Sequence, residues 1–364
     1  MPLGDMIGLL RGLWSRESAY AGPFAVTIDF TSRCNLRCAG CGFHSPLLEG
    51  TSAELARGDL DRDLFAGLCR ELQTMGTRRL VFCGQGEPLL HPELLDLIRL
   101  AKGAGLQTTL ITNGTLLTEE KIHGLIDCRL DQIRVSLWAT SPEEYAANYP
   151  GSNPRLFQAM LGGLALLGSI GRARASALRV TLHTVLDRFN WRRVDAFVDL
   201  ALEARVTALS FSPLHSQFGR LRDLALAAVE EQELKDSLRR AQSRLLPSGV
   251  QHNIEETIHR YEIGEAVRGK VPCYIAWTHP RVRGDGTVHP CGPCQRPMGN
   301  LREQSLREIW NGPAYRAFRK RLLDPHETEL FESCDCSFCC HVTDNSRIHR
   351  VYKWIAPVGR LLES

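Results

Sequence analysis

The chain of 364 residues is without several features, and each absence removes a class of protein. Charge of one sign is missing. The 44 Lys and Arg stand against 41 Asp and Glu, and a net charge of +3 gives no electrostatic argument for a nucleic-acid or membrane partner. A long hydrophobic run is missing too. The most apolar stretch, 156–170, has about 15 residues and is interrupted by Gln158 and by glycines, short of the roughly 18–20 that span a bilayer. The opening Met1-Pro2-Leu3-Gly4-Asp5 has no basic segment followed by an apolar one, so no signal peptide and a cytoplasmic location are expected. There are no low-complexity tracts and no solenoid-period repeats. With 43% hydrophobic and 23% charged residues, the composition is that of a folded chain with a sizeable core.

Cysteine is what the chain has in excess: 13, an odd number. They stand at 34, 38, 41, 69, 83, 128, 273, 291, 294, 334, 336, 339 and 340. Such tight clusters in a chain of this size read as metal ligands in a reducing compartment rather than as a disulfide framework.

A strand-then-helix rhythm starts near residue 23. Strands are expected over 25–30, 79–83, 107–112, 132–137, 178–185 and 206–212, with helices over 63–75, 92–104, 118–126, 156–169 and 191–204 between them. Six strands alternating with helices predict a parallel sheet with crossover helices, with function at the C-terminal strand ends. Residues 1–20 read as an amphipathic extension, docked on the main domain or lying on a membrane surface. The rhythm occupies 21–215. A helical connector over 216–265 contains one long charged helix at 221–246. A second, cysteine-rich α+β domain covers 266–345, and a basic tail with Arg347, Arg350, Lys353 and Arg360 covers 346–364.

Just after the first strand stands Cys34-Asn35-Leu36-Arg37-Cys38-Ala39-Gly40-Cys41. Three thiolates on one tight loop can hold three irons of a [4Fe–4S] cube and leave the fourth open to a small molecule. A zinc knuckle completed by His44 is the alternative. After the second strand comes Cys83-Gly84-Gln85-Gly86-Glu87-Pro88, whose glycines allow close approach to the backbone and whose carboxylate can meet an ammonium group.

With these two motifs, and with Thr112-Asn113-Gly114 and Val135-Ser136-Leu137 on later strands, residues 21–215 resemble the radical SAM superfamily. The resemblance implies a partial (β/α)6 TIM-like barrel in which Cys34, Cys38 and Cys41 ligate a [4Fe–4S] cluster. S-adenosylmethionine would chelate the fourth iron and be cleaved reductively to a 5′-deoxyadenosyl radical that abstracts a hydrogen atom. Gly84, Gly86, Glu87, Pro88, Asn113, Ser136 and His183 are the expected S-adenosylmethionine-binding residues, with Glu87 on the ammonium. The chain departs from the family's pattern in three places. Gly40 stands where an aromatic residue is usual, Gln85 interrupts the glycine run, and Trp138 stands where many relatives have Asp.

Downstream, Cys273, Cys291 and the pair Cys336 and Cys339 resemble the SPASM/Twitch auxiliary-cluster domain, with a Gly284-Asp285-Gly286 hairpin turn between the first two. Asn345 stands where a longer SPASM cysteine run would continue, so the smaller Twitch form is expected, with one auxiliary [4Fe–4S] cluster on those four cysteines. Cys294 or Cys334 could replace one of them, and structural zinc is the rival. Cys69 and Cys128 read as buried packing residues. Trp138, Tyr145 and Tyr149 read as loop packing or as a substrate-contacting loop.

The expectation is a radical SAM oxidoreductase acting on a sugar- or aminocyclitol-like substrate, or on a peptide, and oxidising it through the auxiliary cluster. An external donor such as flavodoxin or ferredoxin would supply the electron. Alternatives are an epimerase with Cys294 or Cys83 as hydrogen donor, a peptide maturase, an RNA-modifying enzyme, and a zinc-stabilised binding protein without catalysis. No nucleic-acid partner and no membrane span are expected.

Overall fold

The computed structural model describes residues 3–48, 58–215, 219–264, 270–323, 333–336 and 339–362, the side chains of 354–362 excepted. Seven strands follow one another in parallel: β1 Ala25–Asp29, β2 Arg79–Cys83, β3 Gln107–Thr112, β4 Gln132–Ser136, β5 Arg179–Leu186, β6 Ala208–Pro213 and β7 Gln251–His252. The pleat sorts their side chains. Leu80, Phe82, Leu110, Ile133, Val135, Leu209 and Phe211 are buried, while alternate residues, among them Arg134, His183, Val185, Ser210 and Ser212, line a cavity on the concave side.

Crossover helices cover the outer face, and their starts are written locally. Asp61 accepts from Leu64 N to cap Arg62–Thr74, which buries Phe65, Leu68, Cys69 and Leu72. Thr118 caps Glu119–Asp127 in the same way. The crossover from β4 to β5 is the 19-residue helix Arg155–Ala173. It is longer than the 15-residue apolar stretch expected, and by length and composition it could cross a membrane. Here one face of it, Phe157, Met160, Leu164 and Leu167, is buried in the core.

The structure changes the expected organisation in three ways. Among the described residues, the second domain does not build a sheet of its own. Its strands β8 Arg281–Val282, β9 Thr287–His289 and β10 Gly299–Asn300 join the barrel edge through β8, which pairs in parallel with β1. The result is one ten-stranded sheet in the order β10-β9-β8-β1-β2-β3-β4-β5-β6-β7. The connector carries β7 against β6, and its helix is Ala228–Leu245, with the 3₁₀ turn Arg222–Leu224 before it. The basic tail is part of the helix Val342–Leu362, the side chain of Arg360 lying outside those described.

Candidate functional site

The cysteine loop leaves β1 at the C-terminal end of the sheet, and backbone contacts fix it on two sides. Gly86 N donates to Thr31 O at 3.0 Å and Glu87 N to Arg33 O at 2.8 Å, so the glycine loop after β2 lies directly on the chain leading into Cys34. A Cβ at Gly86 would sit inside the Arg33 carbonyl, which is why this position is glycine. On the other side Ala39 N donates to Asn148 O at 2.8 Å, from the helix Pro142–Asn148.

Two of the expected ligand-binding side chains, Glu87 and Asn113, also brace the loops. Glu87 is 2% exposed. Its carboxylate accepts from Leu89 N at 3.0 Å, Thr112 Oγ1 at 2.6 Å and Asn113 N at 2.6 Å, and so clamps the glycine loop to the end of β3. Burial pushes its pKa up, and the Asn113 and Leu89 amides and the Thr112 hydroxyl oppose that. Asn113 Nδ2 donates to Asn35 Oδ1 at 2.9 Å, and its Oδ1 accepts from Thr115 N at 3.0 Å and Thr115 Oγ1 at 2.7 Å. Asn35 Nδ2 closes the ring by donating to Thr115 Oγ1 at 2.7 Å. The turn after β3 is thereby tied to the cysteine loop. Pro88 opens the 3₁₀ turn Pro88–Leu90.

The three thiols lie close enough to act on one another. Burial pushes the Cys34 thiol up to about 11. Cys38 is raised by burial and by the nearby Cys41 and Cys34, and Cys41 by burial. Thiols that crowd one another away from water are what a cationic iron site relieves by holding them as thiolates. The donor set and its one-loop placement fit a [4Fe–4S] cluster with one iron left open.

Beside this loop lies a cavity of about 640 Å³ between the barrel and the cysteine-rich region. His183 reaches it from β5, at the same level as Ser136 on β4 and Ser210 on β6. Its Nδ1 is 2.7 Å from Ser210 Oγ. Burial, with Arg134 and Arg260 nearby, lowers its pKa to about 3, so the ring is neutral at physiological pH. Trp138 also lines the cavity. A Cβ on Gly40 would come within 3.1 Å of its ring and 2.7 Å of Leu214 Cδ1. The two departures at 40 and 138 thus compensate: the missing side chain before Cys41 leaves room for an indole from the end of β4. Tyr145 and Tyr149 are buried and stacked at 4.8 Å, and Tyr149 Oη accepts from Trp138 N at 3.0 Å, which makes them packing residues.

In the second region Cys273, Cys291, Cys336 and Cys339 come together. Cys291 is raised by burial and by Cys273, Cys340, Cys336 and Cys339, all close enough to act on it. Cys340 belongs to this group although its spacing did not single it out. The only signal was its adjacency to Cys339, and His341 beside it holds its thiol down near 6. Cys294 and Cys334 are bonded to each other as a disulfide, and both are buried. In that bond neither Cys294 nor Cys334 carries a free thiol. The place of the missing cysteine is filled by a structural group: Asn345 Oδ1 accepts from Tyr274 N at 2.8 Å and pins the chain next to Cys273. Cys83 keeps its thiol at the end of β2, and Cys69 and Cys128 are buried in the core.

Comparison with known proteins matches both regions of the chain. The family model of the radical SAM superfamily matches residues 28–201, and that of the SPASM iron–sulfur cluster-binding domain matches 273–343. A PqqA peptide cyclase from Ruegeria pomeroyi is 29% identical over 332 residues, 88% of this chain and 81% of that protein. An AdoMet-dependent heme synthase from Methanosarcina barkeri is 27% identical over 84% of this chain and 86% of its own. Among solved structures, Streptococcus suis SuiB bound to its precursor peptide SuiA shares the fold with a TM-score of 0.66 at 16% identity, over 92% of this chain and 75% of that one. The chain belongs to the radical SAM superfamily and carries a C-terminal SPASM domain, and it is an enzyme whose cofactors are a [4Fe–4S] cluster, S-adenosylmethionine and auxiliary iron–sulfur.

Proposed function

We propose that the enzyme acts on a peptide, taking a hydrogen atom from an unactivated C–H bond and leaving the peptide oxidised. The observation that carries this reading is the similarity to a PqqA peptide cyclase across both domains, 88% of this chain. It reverses the order expected from sequence, where sugar-like substrates came first. The cavity is open along the junction of barrel and SPASM region, which supports an extended substrate.

In this reading Cys34, Cys38 and Cys41 hold the cluster that binds S-adenosylmethionine, and Cys273, Cys291, Cys336 and Cys339 hold an auxiliary one. When bound, these groups supply reductive cleavage of S-adenosylmethionine and hydrogen-atom abstraction. The chain's own residues position them. Gly84, Gly86 and Pro88 shape the loop, Glu87 and Asn113 lock it to the cysteine loop, neutral His183 forms part of the cavity wall, and Ser136 stands beside His183 on β4. Flavodoxin or ferredoxin is the proposed electron donor. Oxidation is favoured over epimerisation because epimerisation needs a thiol to return hydrogen. Cys294 is tied up with Cys334, which leaves Cys83 as the nearby candidate.

The test uses anaerobically reconstituted enzyme in D2O with S-adenosylmethionine, a reductant and short peptides encoded beside its gene. The expected product is a peptide lighter by a pair of hydrogens, with no solvent deuterium at the reacting carbon. Deuterium there that is lost in Cys83→Ala overturns oxidation in favour of epimerisation. Unchanged peptides beside a consumed small molecule overturn the peptide reading.

A further inference from the structure

Five arginines line the cavity, Arg134, Arg260, Arg281, Arg283 and Arg347, against two carboxylates, Glu256 and Asp344. Three of the five are engaged. Arg281 holds the buried Asp29 with two bonds, at 2.9 Å and 2.7 Å. Arg347 is 2.7 Å from Glu256 and 3.9 Å from Asp344. Arg260 lies beside Cys339, Cys340 and Glu256.

Arg134 and Arg283 are different. Neither side chain forms a hydrogen bond or ion pair among the described residues, and the Nε of each is buried without a partner. Arg134 stands on β4, in register with Ile111 of β3 and Thr181 of β5, one pleat deeper than Ser136. Cys83 acts on it and it acts on His183, and neither is a carboxylate. Arg283, half-buried, follows β8 at the hairpin turn next to Arg281, and the carboxylates of Asp29 and Asp285 are close enough to act on it.

A guanidinium N–H that is buried without a partner, as the Nε of Arg134 is, is costly unless a ligand supplies one. The planar fork of donors suits a carboxylate held by two parallel bonds. We propose that Arg134 receives a carboxylate of the substrate. This rests on the peptide reading above and narrows the favoured peptide to one carrying Asp or Glu near the reacting position.

The experiment measures binding by calorimetry to the full-length, cluster-loaded enzyme with S-adenosylmethionine present. The probes are acetyl-Ala-Glu-Ala-amide, acetyl-Ala-Gln-Ala-amide and glutarate. The Glu peptide should bind about tenfold or more tightly than the Gln peptide, since one charge-assisted pair separates them. Arg134→Met should erase most of that preference, and Arg283→Met should leave most of it in place, with S-adenosylmethionine affinity and iron content unchanged in both. Arg134→Lys, which keeps the charge but not the fork, should retain part of it, and it carries the comparison should Arg134→Met not fold. Equal binding of the two peptides overturns the carboxylate receptor and leaves the peptide reading standing. Arginine-dependent binding of glutarate with neither peptide bound supports the receptor and overturns the peptide reading. A parallel loss of S-adenosylmethionine affinity in Arg134→Met overturns the proposal, because the guanidinium would then serve the cofactor's carboxylate.

Discussion

Glu87 shows what one buried side chain can do when both oxygens are engaged. Three donors converge on it from two loops, and bonds to a charged acceptor contribute about 1.5–3 kcal/mol each. Glu87→Ala should therefore lower thermal stability and weaken S-adenosylmethionine binding about ten- to a hundredfold together. A Glu87 that only met the ammonium would change affinity and leave the melting temperature where it was, so measuring both decides the role. Gly86→Ala should act through the Arg33 carbonyl and cut the iron-to-protein ratio after reconstitution. Gly40 and Trp138 form a second test. Gly40→Tyr overpacks against the indole and Leu214 and should cost about 1–3 kcal/mol. In Trp138→Ala the same tyrosine has space, so the double variant should be more stable than the two single effects predict. A double-mutant cycle in urea reads this coupling directly.

The cysteine loop behaves as one element, because its entry, centre and flank are each tied to a different part of the barrel. Replacing Cys34, Cys38 and Cys41 together by Ala should abolish formation of 5′-deoxyadenosine while leaving the auxiliary iron in place. Continued 5′-deoxyadenosine production would refute their role as ligands. The strand β8 is the element that joins the SPASM region to the barrel, and its anchor is the Arg281–Asp29 pair, with Asp29 only 1% exposed. Breaking a buried pair leaves a stranded charge and typically costs about 3–5 kcal/mol. Arg281→Met should thus lower the urea midpoint strongly, and adding Asp29→Asn should restore part of the loss. An Asp29→Asn addition that only deepens the defect would show that packing of the arginine, rather than its charge, holds the junction.

At the scale of the molecule, histidines buried in their neutral form set the acid limit. Burial holds both His183 and His279 near 3, well below the ordinary histidine value. The unfolded chain protonates each near 6.5 while the folded chain does not until about 3, so the unfolded state binds more protons across that window. Stability is complete above about 6.5 and falls as the pH drops toward 3, by up to about 1.4 kcal/mol per pH unit for each histidine. The melting temperature should follow that course and flatten in His279→Gln; a slope unaltered by that substitution would rule the histidine out. The chemistry itself was legible in the chain. Short local motifs, Cys34-x3-Cys38-x2-Cys41 and Gly84-Gln85-Gly86-Glu87-Pro88, declare donor types whose spacing the covalent backbone sets, and six alternating strands announce a parallel sheet. What folding alone decided depends on residues far apart in sequence. Glu87 became a brace because Thr112 and Asn113 close over it. Cys294 met Cys334 across 40 residues. The expected second domain merged into the barrel's sheet because β8 pairs with β1, more than 250 positions away by sequence number. Local pattern determines which atoms are offered to a cofactor; only the tertiary contacts determine which of those atoms are already in use, and which, like the guanidinium of Arg134, are left without a partner at the cavity.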